Sequence, residues 1–482
     1  MDVLSILGQL AETSADPRIR TLVKSLTSTQ AGVNLAALTG GGATRVEALE
    51  PELATATVQN PHFVLFNLLF PNRHTSWSLI DQQVVQDGIG GYPGSAVSNE
   101  TGSNLNQRNG AYHRVITELK VLAEFGGVTV PTAMQGALQQ AAGAADFNSA
   151  EQEIFSALSR VLQTAEWELI FGDPTMSPLE FQGIIPGLLA NAPQNVLNLG
   201  GIALNTGSQV APLAARISGF GSWGSPDALI VSPACKADFD GHLEAGYRVN
   251  LDANVPSTTL GAMVKSIKYN GLGIGNGVLD LYPHVFLDEN MRQPVENFAA
   301  TEISGNAPAS MTGVASGATG SIPAGTYAYR VEAAGPGFVS SSVLVTGSTV
   351  VVAATNQVAL TITQSSGAAE SYYNVYRSSK NGSTASNMCR FIGRVAKTGA
   401  TTVFTDTNAT IPGTSQAIML TSAPQYDALR LVQMAPPSKI PLAMTTLQYQ
   451  FAVMYLACLR LSLPKKHALI TNILPSNATW LP

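Results

Sequence analysis

The run from Ile154 to Phe171 constrains this chain more than any other. Ile154, Leu158, Val161, Leu162, Ala165 and Leu169 recur at helical spacing, giving one apolar face. Asn148-x-x-Glu151 or Ser149-x-x-Gln152 can supply a capping box at its start. Residues 150–171 form a rod of about 33 Å at 1.5 Å per residue. Gly172 can provide a left-handed stop and Pro174 prevents continuation. Near its end the helix carries Glu166 and Glu168 around Trp167. Residues two apart on a helix do not face each other, so the two carboxylates do not flank one bond as an acid/base pair. They are expected to be solvated or interface groups.

The chain before this helix is of a different kind. Residues 1–60 read as one or two short helices and a linker, with Ile19, Leu22, Val23 and Leu26 at helical spacing and Thr39-Gly40-Gly41-Gly42 as a hinge. The apolar block Phe63 to Phe70 fits either a buried strand or a short helix. Two strand-like arms, Trp77 to Val85 and Ala111 to Leu122, then flank a polar middle, Asp87 to Asn109, rich in Gly, Ser and Asn. A structureless loop of that size is uncommon inside a compact domain, and a lone hairpin is marginal. The segment is therefore expected to lie on another chain.

Composition points the same way. Charged residues make up 12% of the 482, against about 25% in a typical soluble domain. A free monomer relies on charge for solubility, so either much of the surface is covered by other subunits or the chain is simply a Gly/Ala-rich soluble protein. The net charge of −6 argues against sequence-independent nucleic-acid binding as the main task. Cys235, Cys389 and Cys458 are far apart and fit neither a disulfide framework nor a zinc site, which suits a reducing compartment. Met1-Asp2 is followed by no basic region and no apolar signal core.

Beyond the helix, residues 185–300 mix strands and helices. Ala228 to Val231 reads as a short buried strand, and Ser232-Pro233 opens a helix with Ser as cap. Leu279 to Leu287 reads as a strand whose Pro283 favours an edge position. Residues 306–417 then turn poor in charge and rich in Thr, Ser, Val and Gly. Tyr327 to Ala333, Val358 to Thr363, Tyr372 to Arg377, Phe391 to Val395 and Thr402 to Thr405 are candidate strands of an antiparallel sandwich. Pro441 to Leu463 is apolar again, with aromatics, like the chain ahead of the β-rich stretch. It is bounded by Pro437 and Pro441 before and Pro464-Lys465-Lys466-His467 after. The β module thus reads as an insertion into a mixed domain.

No catalytic constellation emerges. The six histidines are scattered without H-x-x-x-H spacing. Gly271 to Gly277 lacks a G-x-G-x-x-G register, and there is no Walker loop or nucleophile elbow. No catalytic residue, cofactor or metal is expected, and no apolar run is long enough to span a membrane.

Several stretches resemble those of a known family. Thr164-x-Glu166-Trp167 leading to Gly172-Asp173, and Leu179-Glu180-Phe181-x-Gly183, resemble a spine-helix exit. Phe286-Leu287-Asp288-Glu289 resembles the approach to an inserted module; Pro441-Leu442-Ala443, Phe451-Ala452-Val453 and Pro464-Lys465-Lys466-x-Ala468 resemble a C-terminal return. Their order is similar to that of the major capsid proteins of tailed double-stranded DNA bacteriophages, of the contractile-tailed type. The strand motifs Thr326 to Val331 and Tyr373 to Arg377 resemble immunoglobulin-like or fibronectin-like modules.

The resemblance implies an α+β capsid fold with an N-terminal arm (1–74), an extended two-stranded loop (75–122) and a peripheral domain (123–189) holding a spine helix (149–171). An axial domain (190–303), an inserted immunoglobulin-like sandwich (304–418) and a C-terminal return (419–482) come next. It implies hexamers and pentamers of the chain in an icosahedral head in the virion, assembled in the bacterial cytoplasm. Partners would be a separate scaffolding protein, a portal, decoration proteins and packaged DNA touched non-specifically, with no membrane. Trp77, Tyr92, Arg108, Tyr112, Glu166, Trp167, Glu168, Lys465 and Lys466 are the structural or inter-subunit candidates. Residues 75–110 contain no lysine, so no Lys–Asn cross-link is expected from that loop. An encapsulin-like compartment, or an adhesin built on the β module, is the alternative.

Overall fold

The computed structural model describes residues 62–69, 71–85, 100–101, 111–134, 149–205, 207–219, 222–247, 266–268, 278–295, 303–317, 320–353, 356–367, 369–424, 427–443 and 447–476. The chain divides into two units, residues 1–56 with 130–149 and residues 57–129 with 150–482. The second unit carries the fold. Asn148, Gly271 to Gly277, Tyr92, Arg108 and the expected helices and hinge of residues 1–60 lie outside the described residues.

The apolar block after Pro61 forms a helix, α1 (Val64–Leu69), with Leu65 and Leu69 buried. A two-residue strand, β1 (Asn72–Arg73), comes after it. The two arms pair as an antiparallel hairpin, β2 (Ser78–Val85) with β3 (Ala111–Glu118), from Ser78 opposite Glu118 to Val85 opposite Ala111. Tyr112 stands opposite Val84 in that ladder, and Trp77 at its base is 57% exposed. The second arm is interrupted at Leu119, whose buried side chain marks the change to β4 (Lys120–Thr129).

Helix α2 (Ser149–Phe171) lies over a sheet made largely by the end of the chain. β21 (Leu429–Pro441) and β22 (Gln448–Leu461) are antiparallel, β4 pairs antiparallel with β22, and β1 runs parallel to β21. Val161, Ala165 and Leu169 of α2 share one core with Leu122, Leu431, Val453 and Tyr455. Pro437 and Pro441 do not bound this segment; they belong to β21. Pro437 is tolerated there because the ladder slips between Ala435 and Ser438, and a bulge does not require its missing N–H.

After α2 come α3 (Ile184–Asn191), β5 (Val196–Ile202), α4 (Gly207–Ser218), β6 (Ala228–Val231) and α5 (Pro233–Tyr247). The Cys235 N–H donates to Ser232 Oγ at 3.2 Å, the cap that the Ser-Pro pair implies. With β7 (Ser266–Lys268), β8 (Val278–Pro283), β20 (Ser415–Leu420) and β23 (Ala468–Ile473), these strands form a six-stranded sheet of order β5-β23-β20-β6-β8-β7. Side chains alternate between two cores. Leu229, Val231, Ala417, Met419 and Ile470 meet α4 and α5; Ala228, Ile230, Ile418, Leu420 and Leu469 join the core beneath α2. A sheet covered on both faces reads as an unbroken apolar run, as Ala228 to Val231 does.

β8 ends at Pro283, short of the expected strand to Leu287, and a 3-10 turn, Val285–Met291, takes over. β8 is not an edge strand, since it lies between β6 and β7. β7 reaches only Val278 to Asp280, so Pro283 still has an open flank where its missing donor is harmless.

Between β8 and β20, which flank β6, the chain builds a separate β sandwich. One sheet is β10 (Pro308–Ser316), β16 (Gln357–Ser365) and β19 (Thr401–Asp406). The other is built from β9 (Ile303–Gly305), β12 (Tyr329–Gly335), β13 (Phe338–Ser340), β17 (Tyr372–Ser378) and β18 (Cys389–Ala396), in the order β18-β17-β12-β13-β9. A short β14 (Val343–Leu344) also pairs with β12. Met311, Leu360 and Ile362 of the first sheet meet Tyr329, Val331, Tyr373 and Val375 of the second. The expected strand from Tyr327 breaks at Ala328: β11 (Gly325–Tyr327) pairs with β15 (Val350–Val352) instead.

Candidate functional site: the exit of the long helix

Glu166, Trp167 and Glu168 each face a different partner. The expectation of solvated carboxylates is corrected here: Glu166 is fully buried and Glu168 is 6% exposed. Glu166 Oε1 accepts from the Leu65 N–H at 2.6 Å and Oε2 from the Phe66 N–H at 3.2 Å. It thus satisfies donors that a helix start leaves without intrahelical partners. Oε1 also lies 2.9 Å from His284 Nε2. His284 Nδ1 accepts from the Phe286 N–H at 3.2 Å, so Nε2 carries the ring proton and donates to Glu166. The His284 N–H in turn donates to the Val231 carbonyl at 2.7 Å. One carboxylate thus ties α1, α2 and the exit of β8 together, and its hydrogen bonds fix position rather than leave a lone pair for proton transfer.

Glu168 looks the other way, toward the turn after the helix. Burial, and then the neighbouring Glu180 carboxylate, push its pKa up to about 8. Its Oε2 accepts a long hydrogen bond, 3.5 Å, from the Phe181 N–H. Glu180 is also raised, by burial, against the opposing pull of Arg394; its Oε2 accepts from the Asp173 N–H at 2.9 Å. Asp173 Oδ1 accepts from the Thr175 N–H at 2.9 Å and hydroxyl at 2.7 Å, the local bonding that makes Asp a turn former. Gly172 does not adopt a left-handed conformation. It is required for space: a Cβ there would lie 2.4 Å from the Phe181 carbonyl oxygen.

Trp167 meets the sandwich. The Arg394 guanidinium, carried by β18, lies 4.9 Å from the Trp167 ring centre and 5.7 Å from that of Tyr372. Arg394 Nη2 donates to the Phe171 carbonyl, and Nη1 pairs with Glu180 at 3.4 Å. A second arginine repeats the arrangement nearby: Arg292 lies 4.5 Å from the Phe391 ring centre, and the Phe391 N–H donates to the Arg292 carbonyl at 3.0 Å. Cation–π contacts gain strength when desolvated, so Arg394 fastens the inserted module to the helix exit and Arg292 fastens it to the chain after β8.

Of the sequence candidates, three converge at this exit. Trp77 and Tyr112 belong to the hairpin, and Lys465 and Lys466 occupy a 3-10 turn, Pro464–Lys466. Sequence reasoning missed His284 and Arg394. Only the Pro283 before His284 hinted that a strand ends there; nothing local marks Arg394. Among the described residues no cluster of three or more His, Cys, Asp or Glu could hold a metal ion, and no helix is long and apolar enough to cross a membrane.

No family model matches the chain, and no curated protein matches it. Solved structures do resemble it at low identity. The capsid of Myoviridae phage XM1 is 8% identical, over 92% of this chain and 100% of that one, with a TM-score of 0.43. The capsid of a native GTA particle is 10% identical, over 91% and 98%, at 0.40. The holo-SrpI encapsulin complex from Synechococcus elongatus is 10% identical, over 89% and 92%, at 0.40. At these scores the likeness carries no weight for function by itself.

Proposed function

We propose that the chain is the major capsid protein of a tailed double-stranded DNA bacteriophage, assembling as hexamers and pentamers into the head. The observation that carries this reading is a sheet face left apolar. In the β21-β22-β4 sheet, one face packs on α2. On the other, Ile440, Ala452 and Phe125 stand in one cross-strand row, with Phe125 72% exposed and Ile440 38% exposed on either side of the buried Ala452. Val121, on the same side of β4, is 46% exposed. A one-sided antiparallel sheet ordinarily turns polar residues outward; contiguous exposed apolar surface marks an interaction site. Copies of the chain are the partner the reading supplies, each contact burying on the order of 1,600 Å². The order of elements also supports it: hairpin, long helix, mixed sheet, inserted sandwich, return strands.

In this reading α2 is the spine, the hairpin overlaps a neighbouring subunit, and the sandwich is an immunoglobulin-like module on the outer surface, bracing the shell or adhering to host glycans. A separate scaffolding protein directs closure. Electron microscopy of the purified chain co-expressed with its scaffold tests this: closed icosahedral particles are expected, and a monodisperse monomer under all assembly conditions refutes it. The second reading, an encapsulin-like compartment, is told apart by the contents, since a head holds nuclease-protected double-stranded DNA and a compartment holds protein cargo.

A further inference from the structure

The two longest carboxylate-free stretches of the chain meet in space. No Asp or Glu lies between Glu180 and Asp227, and none comes after Asp427, although the chain as a whole is net −6. The turn Pro464–Lys466 sits against the first stretch: Asn195 Nδ2 donates to the Lys465 carbonyl at 2.8 Å and the His467 carbonyl at 2.9 Å. A Cβ on Gly224 would lie 3.2 Å from Lys466 Cα. Arg216, at the end of α4, donates from Nη1 to the Gln194 carbonyl at 2.5 Å. Arg216 and Lys465 are exposed and Lys466 is half-buried. Beside them stands Trp223, 50% exposed, in a left-handed backbone conformation with φ +51°.

A bulky residue holds such a conformation only where its surroundings impose it. Here the Trp223 N–H donates to the Gly219 carbonyl at 3.2 Å and the Gly224 N–H to the Ile217 carbonyl at 3.0 Å. The result is an aromatic residue on a pinned backbone next to the Lys466 turn; the acids that border these stretches, Asp227 and Asp427, are taken up by Ser422 and by Arg430 and Arg460.

We propose that Arg216, Lys465, Lys466 and Trp223 form a contact site for the phosphate backbone of a nucleic acid, the cations meeting phosphates and the indole meeting a sugar or base. Lysine is depleted from the centres of protein–protein interfaces, and two of these three cations are lysines; a cationic patch with an aromatic platform is the pattern of sequence-independent nucleic-acid contact. The patch stands on its own geometry; that the polyanion is the enclosed genome rests on the shell reading.

The test is binding of a fluorescent duplex and of an oligo-dT strand to the full chain as unassembled subunits, across a salt series. Three phosphate contacts predict a log–log salt slope that the triple variant R216A/K465A/K466A makes shallower by about 3 for the duplex. The charge-keeping variant R216K/K465R/K466R should retain the slope, separating charge from misfolding. W223A should weaken oligo-dT about tenfold with the slope unchanged. Undiminished duplex binding by the triple variant overturns the proposal. So does displacement of the duplex by poly-glutamate at matched charge with the same variant dependence, which would make the patch a contact for an acidic polypeptide. Particle formation by the same variants is scored separately by microscopy. Shells that form normally while DNA binding is lost uphold both readings. Wild-type chain that binds DNA but never forms shells removes the capsid reading and leaves the patch.

Discussion

The inserted sandwich and the β21-β22-β4 sheet are both antiparallel β structures with one covered face, yet they finish their outer faces differently. On the β10-β16-β19 sheet the outward rows Ser310–Thr363–Thr401, Thr312–Thr361–Val403 and Val314–Ala359–Thr405 each carry at least one hydroxyl that water can hydrate, with Val314 and Val403 exposed among them. On the other sheet the corresponding row is Phe125–Ala452–Ile440. The sandwich also pairs buried charges with hydrogen-bond donors of its own. Arg377 pairs with Asp406 at 2.5 Å, both nearly buried, and Tyr329 donates to the same carboxylate at 3.1 Å. Glu370 accepts from the Ser365 N–H and hydroxyl and from Tyr373. The sandwich scatters its exposed valines among hydroxyls, whereas the body sheet leaves the aromatic Phe125 open to solvent in a row without a polar side chain.

The comparison can be broken most forcefully at the buried carboxylates. Glu166→Ala leaves two helix-start N–H groups and the His284 ring without their acceptor, and removing one partner of a buried pair costs about 3–5 kcal/mol. Chemical denaturation should show that loss in the body transition. Asp406→Ala should cost a similar amount but in the sandwich, read by hydrogen exchange of β16 and β19. If either variant melts both regions together, the two are one cooperative unit and the contrast fails.

pH sharpens the same contrast with opposite signs. Glu168 titrates near 8 in the folded chain, above its ordinary 4.5. Its contribution to stability is full below about pH 4.5 and is lost as pH rises through 8, a loss on the order of a few kcal/mol. Glu168→Gln should remove that decline between about pH 4.5 and 8 in thermal melts. Burial alone would raise Glu370, but the hydrogen bonds from Ser365 and Tyr373 outweigh it and lower it to about 2. Its contribution is present above its ordinary pKa and is lost as pH falls toward 2. Raising the pH from about 4.5 toward 8 should loosen the helix exit first, and lowering it toward 2 the sandwich first.

Arg394→Ala is expected to cost about 1–2 kcal/mol through the lost Trp167 stacking and hydrogen bonds. It should increase proteolysis between the module and the helix exit without unfolding either. The smallest effect on the single chain is Phe125→Asp. At an exposed position it should shift stability by no more than about 0.5 kcal/mol, yet abolish particle formation. Normal particles from the Phe125→Asp variant would remove the exposed row as the carrying observation.

Much of the scaffold is legible because it rests on short-range rules. The apolar period from Ile154 to Leu169 specifies a helix whatever it packs against, Ser232-Pro233 specifies a helix start, and Ala228 to Val231 specifies a strand with both faces covered. Where prolines read as boundaries, as at Pro437 and Pro441, the sequence misleads, because a bulge in a long ladder removes the need for a proline N–H. Gly172 marks a real constraint but not the one its position suggests: the close approach of the Phe181 carbonyl, not backbone handedness, excludes a side chain.

At the helix exit the sequence by itself determined which groups were present and that Glu166 and Glu168 must point apart. Only the tertiary structure decided that both would be buried, that His284 would meet one and Arg394 would reach past the other to Trp167 and Glu180. The physical reason is distance along the chain. Helical and strand periods are encoded by neighbours a few residues apart, whereas the partners that make a buried carboxylate tolerable come from elements brought together only by closing the core.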